Sequence, residues 1–390
     1  MSRSKKLKII ITIVCISFIQ GLQYCVSPVL GQISEHYRNV DVSLVQMLIT
    51  VPSLVSVFVA VMSGWLVVKI SKKKLLLFAG LTAGVTGFIP LFIDSFPLLF
   101  AARTVYGISL GLATTLNTAV VAEFFEGDER VAVMGIQGAS VGAGMVVVTT
   151  AGGWLGAGDF RGSYLINIIG FIALILIAVC LPETGTVKVT NTEKIRLNKE
   201  VFTASVFGML EFFFLITFTT NIAMHLSGPL AGNTAVSGNL TGVFSGIQII
   251  AGLVLGAVAK VTKKFTMPAA MLSFCIGALL LVLFPSNVVM LMAGAVFCGF
   301  SQGIFIPSGM VAVANAVPAA AAAMASACFT CGTSLGQFLS PSVLNTVSRT
   351  VFGEVTTTNV YLISAIGMGI SAVLAFIWKA DKSKNKNGGI

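Results

Sequence analysis

Long apolar runs alternate with short polar breaks along the whole chain. Twelve runs are long enough to cross a bilayer, at roughly 8–30, 43–67, 75–93, 97–122, 131–156 and 162–181, then 201–226, 236–259, 267–284, 288–314, 320–346 and 358–378. Lipid offers no hydrogen bonds, so each run must satisfy its backbone internally. Continuous apolarity excludes the alternating pattern of a membrane barrel and predicts helices. The expected fold is an all-α polytopic membrane protein.

The longest polar stretch runs from Pro182 to Glu200 and is rich in Thr, Asn, Lys and Glu. It divides the chain into a six-helix half over 1–181, a linker over 182–200, a second six-helix half over 201–378 and a tail over 379–390. The halves echo each other. Gly64 and the lysines Lys69, Lys72, Lys73 and Lys74 close the second span, as Gly256 and Lys260, Lys263 and Lys264 close the eighth. The tenth span is glycine-rich between Gly294 and Pro307, as the fourth is around Gly107 and Gly111. Repeated halves put a transport site near the bilayer midplane, at the repeat interface.

Composition fits this reading, with 56% hydrophobic and 10% charged residues, against roughly 25% charged in soluble domains. The net charge of +10 does not point to nucleic acid, because the charges fall in short loops. Of the 24 Lys and Arg, twenty fall on one side of the predicted membrane, Arg38, Arg161 and Arg349 on the other, and Arg103 within a span. The positive-inside rule then makes both termini cytoplasmic, and the expected location is the cytoplasmic (inner) membrane. The N-terminal run is too long for a signal peptide and lacks a clear cleavage site, so it is expected to be an uncleaved first helix. All seven cysteines lie in apolar segments and read as helix-packing residues. Cys328 and Cys331 form C-x-x-C without the strand-helix context of a redox motif.

Few polar groups lie inside the spans. Arg103 is the one basic residue there, and a charge at that depth is costly enough to suggest function. The bland alternative is a side chain that snorkels to the headgroups from roughly 9 Å below the outer end. Glu211 is the one deep carboxylate, roughly 15 Å into the seventh span. That depth suits a proton carrier or a ligand for a cationic substrate. Phe212, Phe213 and Phe214 beside it offer stacking surfaces. Gln20, Gln23, Tyr24, Asn117, Gln137, Asn221, Gln248 and Gln302 are candidate substrate contacts, with Gln337 a further amide; each serves equally well to join two helices. At the cytoplasmic surface, Glu123, Glu126 and Arg130 face the lysines after the second span and are expected to pair with them as a gate.

At this point the chain resembles a major facilitator superfamily transporter over nearly its whole length. Gly64 to Leu75 resembles the loop motif after the second helix, with Lys69 and Lys72 in its basic cluster and Val68 where the family has aspartate. Arg103, Gly107 and Gly111 match the fourth-helix motif. Glu123 and Arg130 match the acidic-basic pair that follows it. Phe160-Arg161 resembles the family's Trp-Arg, and Leu181-Pro182-Glu183-Thr184 the end of its sixth helix. On the fifth span Gly135, Gly144, Gly152 and Gly153 keep the spacing of the proton-antiporter signature, but Val148-Thr149 replaces its Gly-Pro. The eleventh span keeps Gly332, Gly336 and Ser340-Pro341. The pattern is nearest to bacterial drug- and sugar-efflux-like members.

The resemblance implies twelve helices in two pseudo-symmetric halves and transport of a small molecule by alternating access. Proton-coupled efflux is the first expectation, with Arg103 and Glu211 in coupling; proton-coupled uptake of a small organic anion or metabolite is the alternative. No cofactor or metal is expected beyond a proton gradient, and the partners are a small-molecule substrate and the bilayer, with the protein a monomer. A membrane sensor is the remote alternative. An enzyme is not expected: both G-x-S-x-G matches, at Gly107 and Gly332, lie inside apolar helices.

Overall fold

The computed structural model describes residues 3–184, 197–318 and 321–387, which form helices joined by short loops, with no strand among them. The helical runs are α1 (Arg3–His36), α2 (Val42–Lys69), α3 (Lys72–Phe92), α4 (Phe96–Phe124), α5 (Gly127–Leu155), α6 (Phe160–Cys180) and α7 (Lys199–His225). They continue as α8 (Thr234–Thr262), α9 (Thr266–Leu283), α10 (Val288–Asn315), α11 (Ala322–Phe352) and α12 (Thr357–Asn387). Of the expected linker, 185–196 lies outside the described residues.

The apolar runs become helices because polar residues stop and start them. Asp41 accepts from the Ser43 N–H at 2.8 Å, Asn198 from Val201 at 3.1 Å and Asn287 from Val289 at 3.0 Å, each satisfying a donor the first turn leaves open.

Ten runs among the described residues are long and apolar enough to cross a membrane, rather than the expected twelve. Two physical causes account for the difference. α8 and α9 form one 50-residue run, Thr234–Leu283, about 75 Å by helical rise and more than twice the hydrocarbon thickness. It is interrupted at Lys263, whose φ of 51° lies in the left-handed region that L-residues rarely enter. α11 falls outside the ten because Thr330, Thr333, Ser334, Gln337 and Ser340 dilute its apolar character.

The chain forms two compact units, Met1–Thr192 with Asn233–Gly242, and Glu193–Gly232 with Val243–Ile390. Within the first, α1 packs on α4, α5 and α6, and α3 on α4 and α6. Within the second, α7 packs on α10, α11 and α12, and α9 on α10 and α12. These are the same pairs six helices on. The sequence carries the repeat at a constant offset of 192 positions: Gly64 and Gly256, Gly107 and Gly299, Ser109 and Ser301, Gly111 and Gly303, Gly144 and Gly336.

The glycine pairs do equivalent work. A methyl group on Gly107 would lie 2.8 Å from the Pro52 carbonyl oxygen, and one on Gly111 2.7 Å from that of Ser56, so α4 lies backbone to backbone on α2. Gly299 and Gly303 bring α10 equally close to Phe244 and Gln248 of α8. Such approach is the packing that small residues permit inside a bilayer.

Candidate functional site

The first unit is organised around a break in α1. Regular helix ends at Gly21, and two single turns of tighter helix, Leu22–Tyr24 and Ser27–Val29, precede Leu30–His36. A broken helix at membrane depth leaves carbonyls that must find donors from elsewhere. Arg103 on α4 supplies them. It is 4% exposed; Nη1 donates to the Leu22 carbonyl at 3.3 Å and Nη2 to that of Gln23. Nε donates to the Leu48 carbonyl of α2 at 2.8 Å. That acceptor is free because Pro52, four residues on, has no N–H.

Further side chains close the break. The Gln23 amide donates to the Ile49 carbonyl at 2.9 Å and to Ser53 Oγ at 2.6 Å. Tyr106 donates to the Ile19 carbonyl at 2.5 Å, and Ser163 to that of Cys25 at 2.5 Å. The Cys25 thiol receives Arg103 Nη1 at 3.8 Å and Asn167 Nδ2 at 3.9 Å. Arg103 is therefore neither snorkelling nor paired with a carboxylate; its guanidinium spans α1 and α2 by its forked geometry.

In the second unit α7 is also interrupted, at Ile216, 192 positions after Tyr24. Here Ala295 stands at the position corresponding to Arg103, and Phe218 stacks on Phe244 with ring centroids 4.6 Å apart. The charge lies elsewhere. Glu211, at the counterpart of Ile19, has 0% exposure. Ser301 Oγ of α10 donates to its Oε1 at 2.7 Å, and Oε2 has no hydrogen-bond partner. An ionised carboxylate so enclosed, without a cation, is costly; the neutral acid is far less so. Arg103 and Glu211 thus sit in different units, each with its own partners.

The candidate amides divide into two groups. Asn117 joins α4 to α1, donating to the Ile13 carbonyl at 3.2 Å and Ser17 Oγ at 3.0 Å, while its Oδ1 has no partner. Gln137 donates to Thr118 Oγ1 at 3.0 Å, and Asn221 to the Thr217 carbonyl of its own helix at 3.0 Å. Gln248 and Gln302 meet each other, Nε2 to Oε1 at 2.8 Å, on either side of the α8–α10 contact and beside Ser301. Gln20 Nε2 has no partner, and Tyr24 is buried at the break.

At the lysine-rich face, Lys72 pairs with Glu123 at 2.7 Å and Lys73 with Glu183 at 3.6 Å. Arg130 instead donates to the carbonyls of Phe125 and Ala122, capping α4. Lys69 lies over the Trp65 ring at 4.1 Å, and Gly64 meets nothing within 4 Å. Gly144 approaches Phe18, Gly152 the Cys25 carbonyl, Gly153 Gly238 in the same unit, and Gly336 the Met209 carbonyl. Pro341 lies inside α11.

Sequence reasoning missed one cluster. Asp94, between α3 and α4, receives Tyr37 Oη at 2.6 Å, His36 Nε2 at 3.0 Å and Arg161 Nη2 at 2.7 Å. The hydrogen bonds from Tyr37 and His36 hold its carboxyl below the usual range, and desolvation with the Asp94 hydrogen bond pushes the Tyr37 phenol up. The available signal was an acid in a short loop on the lysine-poor side, which also carries Arg161. No group of three or more His, Cys, Asp or Glu suited to a metal occurs among the described residues.

Comparison with known proteins adds the family. The profile of the Major Facilitator Superfamily matches residues 11–232 and again 201–389, once for each half. Curated proteins give no match. Among solved structures, the D323A mutant of the nucleoside transporter NupG is similar at a TM-score of 0.76 and 16% identity, over 95% of this chain and 99% of that one. The POT family transporter PepTSo gives 0.79 and 8%, over 98% and 99%. A bacterial homologue of the human lysosomal transporter Spinster gives 0.72 and 12%, over 97% and 96%. At these identities the likeness is one of fold, whereas the profile match spans almost the whole sequence. This chain belongs to the major facilitator superfamily.

Proposed function

We propose that the chain moves a small organic molecule across the membrane by alternating access, coupled to protons and in the direction of efflux. The observation that carries the coupling is Glu211: fully enclosed, hydrogen-bonded through one oxygen to Ser301, with Oε2 unpartnered. A carboxyl in that setting accepts a proton to remain buried and releases it only when water or a cationic group reaches Oε2. Gln248 and Gln302 beside Ser301 are the substrate contacts this reading favours. Arg103 enters the cycle by fixing the break in α1, since its donors are committed to backbone acceptors. Exchange with protons rests on the resemblance of Arg103, Gly107, Gly111 and the spaced glycines of α5 to efflux members.

One observation favours proton-coupled uptake instead. α5 is a continuous helix of 29 residues without proline, and Thr149 bonds back to the Met145 carbonyl at 2.8 Å where the antiporter signature would bend. Relatives in fold are nucleoside and peptide transporters by name, so small polar metabolites stand beside drug-like cations as compounds to screen. Luminal pH in proteoliposomes separates the readings. Entry of substrate by exchange alkalinises the lumen and entry by symport acidifies it; an unchanged pH during transport removes the proton from the account.

A further inference from the structure

Each unit carries lysines at its lysine-rich face, but they are satisfied differently. In the first unit Lys6, Lys72 and Lys73 pair with Glu129, Glu123 and Glu183. In the second, Lys260, Lys263 and Lys264 have no carboxylate partner among the described residues. Lys263 and Lys264 stand at the turn between α8 and α9, where the backbone of Lys263 takes its left-handed φ of 51°.

Directly below them is a groove of about 250 Å³ between α8, α9, α10 and α12. Its walls include Leu255, Met267 and Val311, and Lys263, Lys264 and Lys379 form its rim. Its wall residue Val311 is 55% exposed, so the groove reaches the outer surface of the helices. In a chain of this family that surface meets acyl chains. A soluble anion has no use for apolar walls, and a neutral lipid has no use for Lys263 and Lys264, which no described carboxylate meets.

We infer that this groove binds an anionic phospholipid of the adjoining leaflet, with its phosphate at Lys263 and Lys264 and an acyl chain along Leu255, Met267 and Val311. Basic clusters above apolar grooves at the cytoplasmic boundary provide both attractions such a lipid needs.

Native mass spectrometry of the full-length protein in detergent tests this, with phosphatidylglycerol and phosphatidylcholine of identical chains as probes. The first bound phosphatidylglycerol should be at least about fivefold tighter than the first phosphatidylcholine, and Lys263→Gln with Lys264→Gln should remove that preference. Arg3→Gln with Lys5→Gln, an equal loss of charge elsewhere, should retain it. Equal affinity of the two lipids for the unaltered protein would overturn the assignment whether or not the variants fold. So would a preference that survives the lysine substitutions or disappears equally in the control.

Discussion

Arg103 Nε donates to the carbonyl oxygen of Leu48 at 2.8 Å, the acceptor that Pro52 leaves without a helical donor. The same guanidinium holds the carbonyls of Leu22 and Gln23 at the break in α1. A charge that looks anomalous in one helix is thus the complement of irregularities in two others.

Lysine at position 103 keeps the charge but loses the fork that reaches both helices. Arg103→Lys should destabilise the purified protein by about 1–3 kcal/mol, the cost of leaving buried acceptors unsatisfied. Pro52→Ala restores an N–H to the Leu48 carbonyl, so in the Arg103→Lys background it should cost less than in the wild type. Thermal unfolding of the four proteins checks this; strict additivity would contradict the shared acceptor.

Close helix approach should show in paired substitutions. Gly107→Ala places its methyl 2.8 Å from the Pro52 oxygen, and overpacking of this kind costs about 1–3 kcal/mol. Gly64→Ala meets nothing within 4 Å and should be neutral or slightly stabilising. Melting temperatures of the two variants distinguish packing from composition.

The Lys72–Glu123 pair is partly enclosed, with side chains 11% and 28% exposed. Glu123→Gln should cost no more than about 1 kcal/mol, reduced further in high salt. If the pair also acts as a gate, transport rate will fall by more than stability does. Unchanged transport and unchanged inward/outward balance, measured by accessibility of single cysteines, would leave it a local tie between α3 and α4.

Asp94 gives a pH dependence with a fixed sign. Its folded carboxyl ionises below the usual range because Tyr37 and His36 hydrogen-bond to it. Its contribution to stability is therefore complete above the ordinary carboxylate pKa of about 3.9 and lost as pH falls through the lower folded value. Wild type should lose more stability than Asp94→Asn over that acid window. Parallel curves would exclude a role for this cluster.

The spans were legible because hydropathy is a local property; most ends fall close to the expected boundaries, while α1, α11 and α12 run on to His36, Phe352 and Asn387. α11 was counted among the apolar runs, although its Ser, Thr and Gln content dilutes its hydropathy. The break in α1 was not: Gly21 and Pro28 hint at it, but only the donors brought by α4 and α6, with acceptors on α2, make it tolerable. For the same reason the sequence marked Arg103 as a charge inside an apolar span without revealing what it holds. Glu211 was visible as an isolated carboxylate; Ser301, ninety positions away, became its partner only through the packing of α7 on α10. Arg130 shows the converse error. Charge complementarity suggested a gate partner, whereas the nearer need was the unsatisfied end of α4.

The central claim is that Glu211 carries the coupled proton. The most direct measurement compares wild type and Glu211→Gln in proteoliposomes, using a compound first identified by its effect on the melting temperature. With a proton gradient imposed, wild type should accumulate the compound against its concentration gradient. Glu211→Gln should lose at least about tenfold of that accumulation yet retain exchange of internal for external compound, because the chemical step lost is protonation and not binding. Undiminished uphill accumulation in Glu211→Gln would contradict the account.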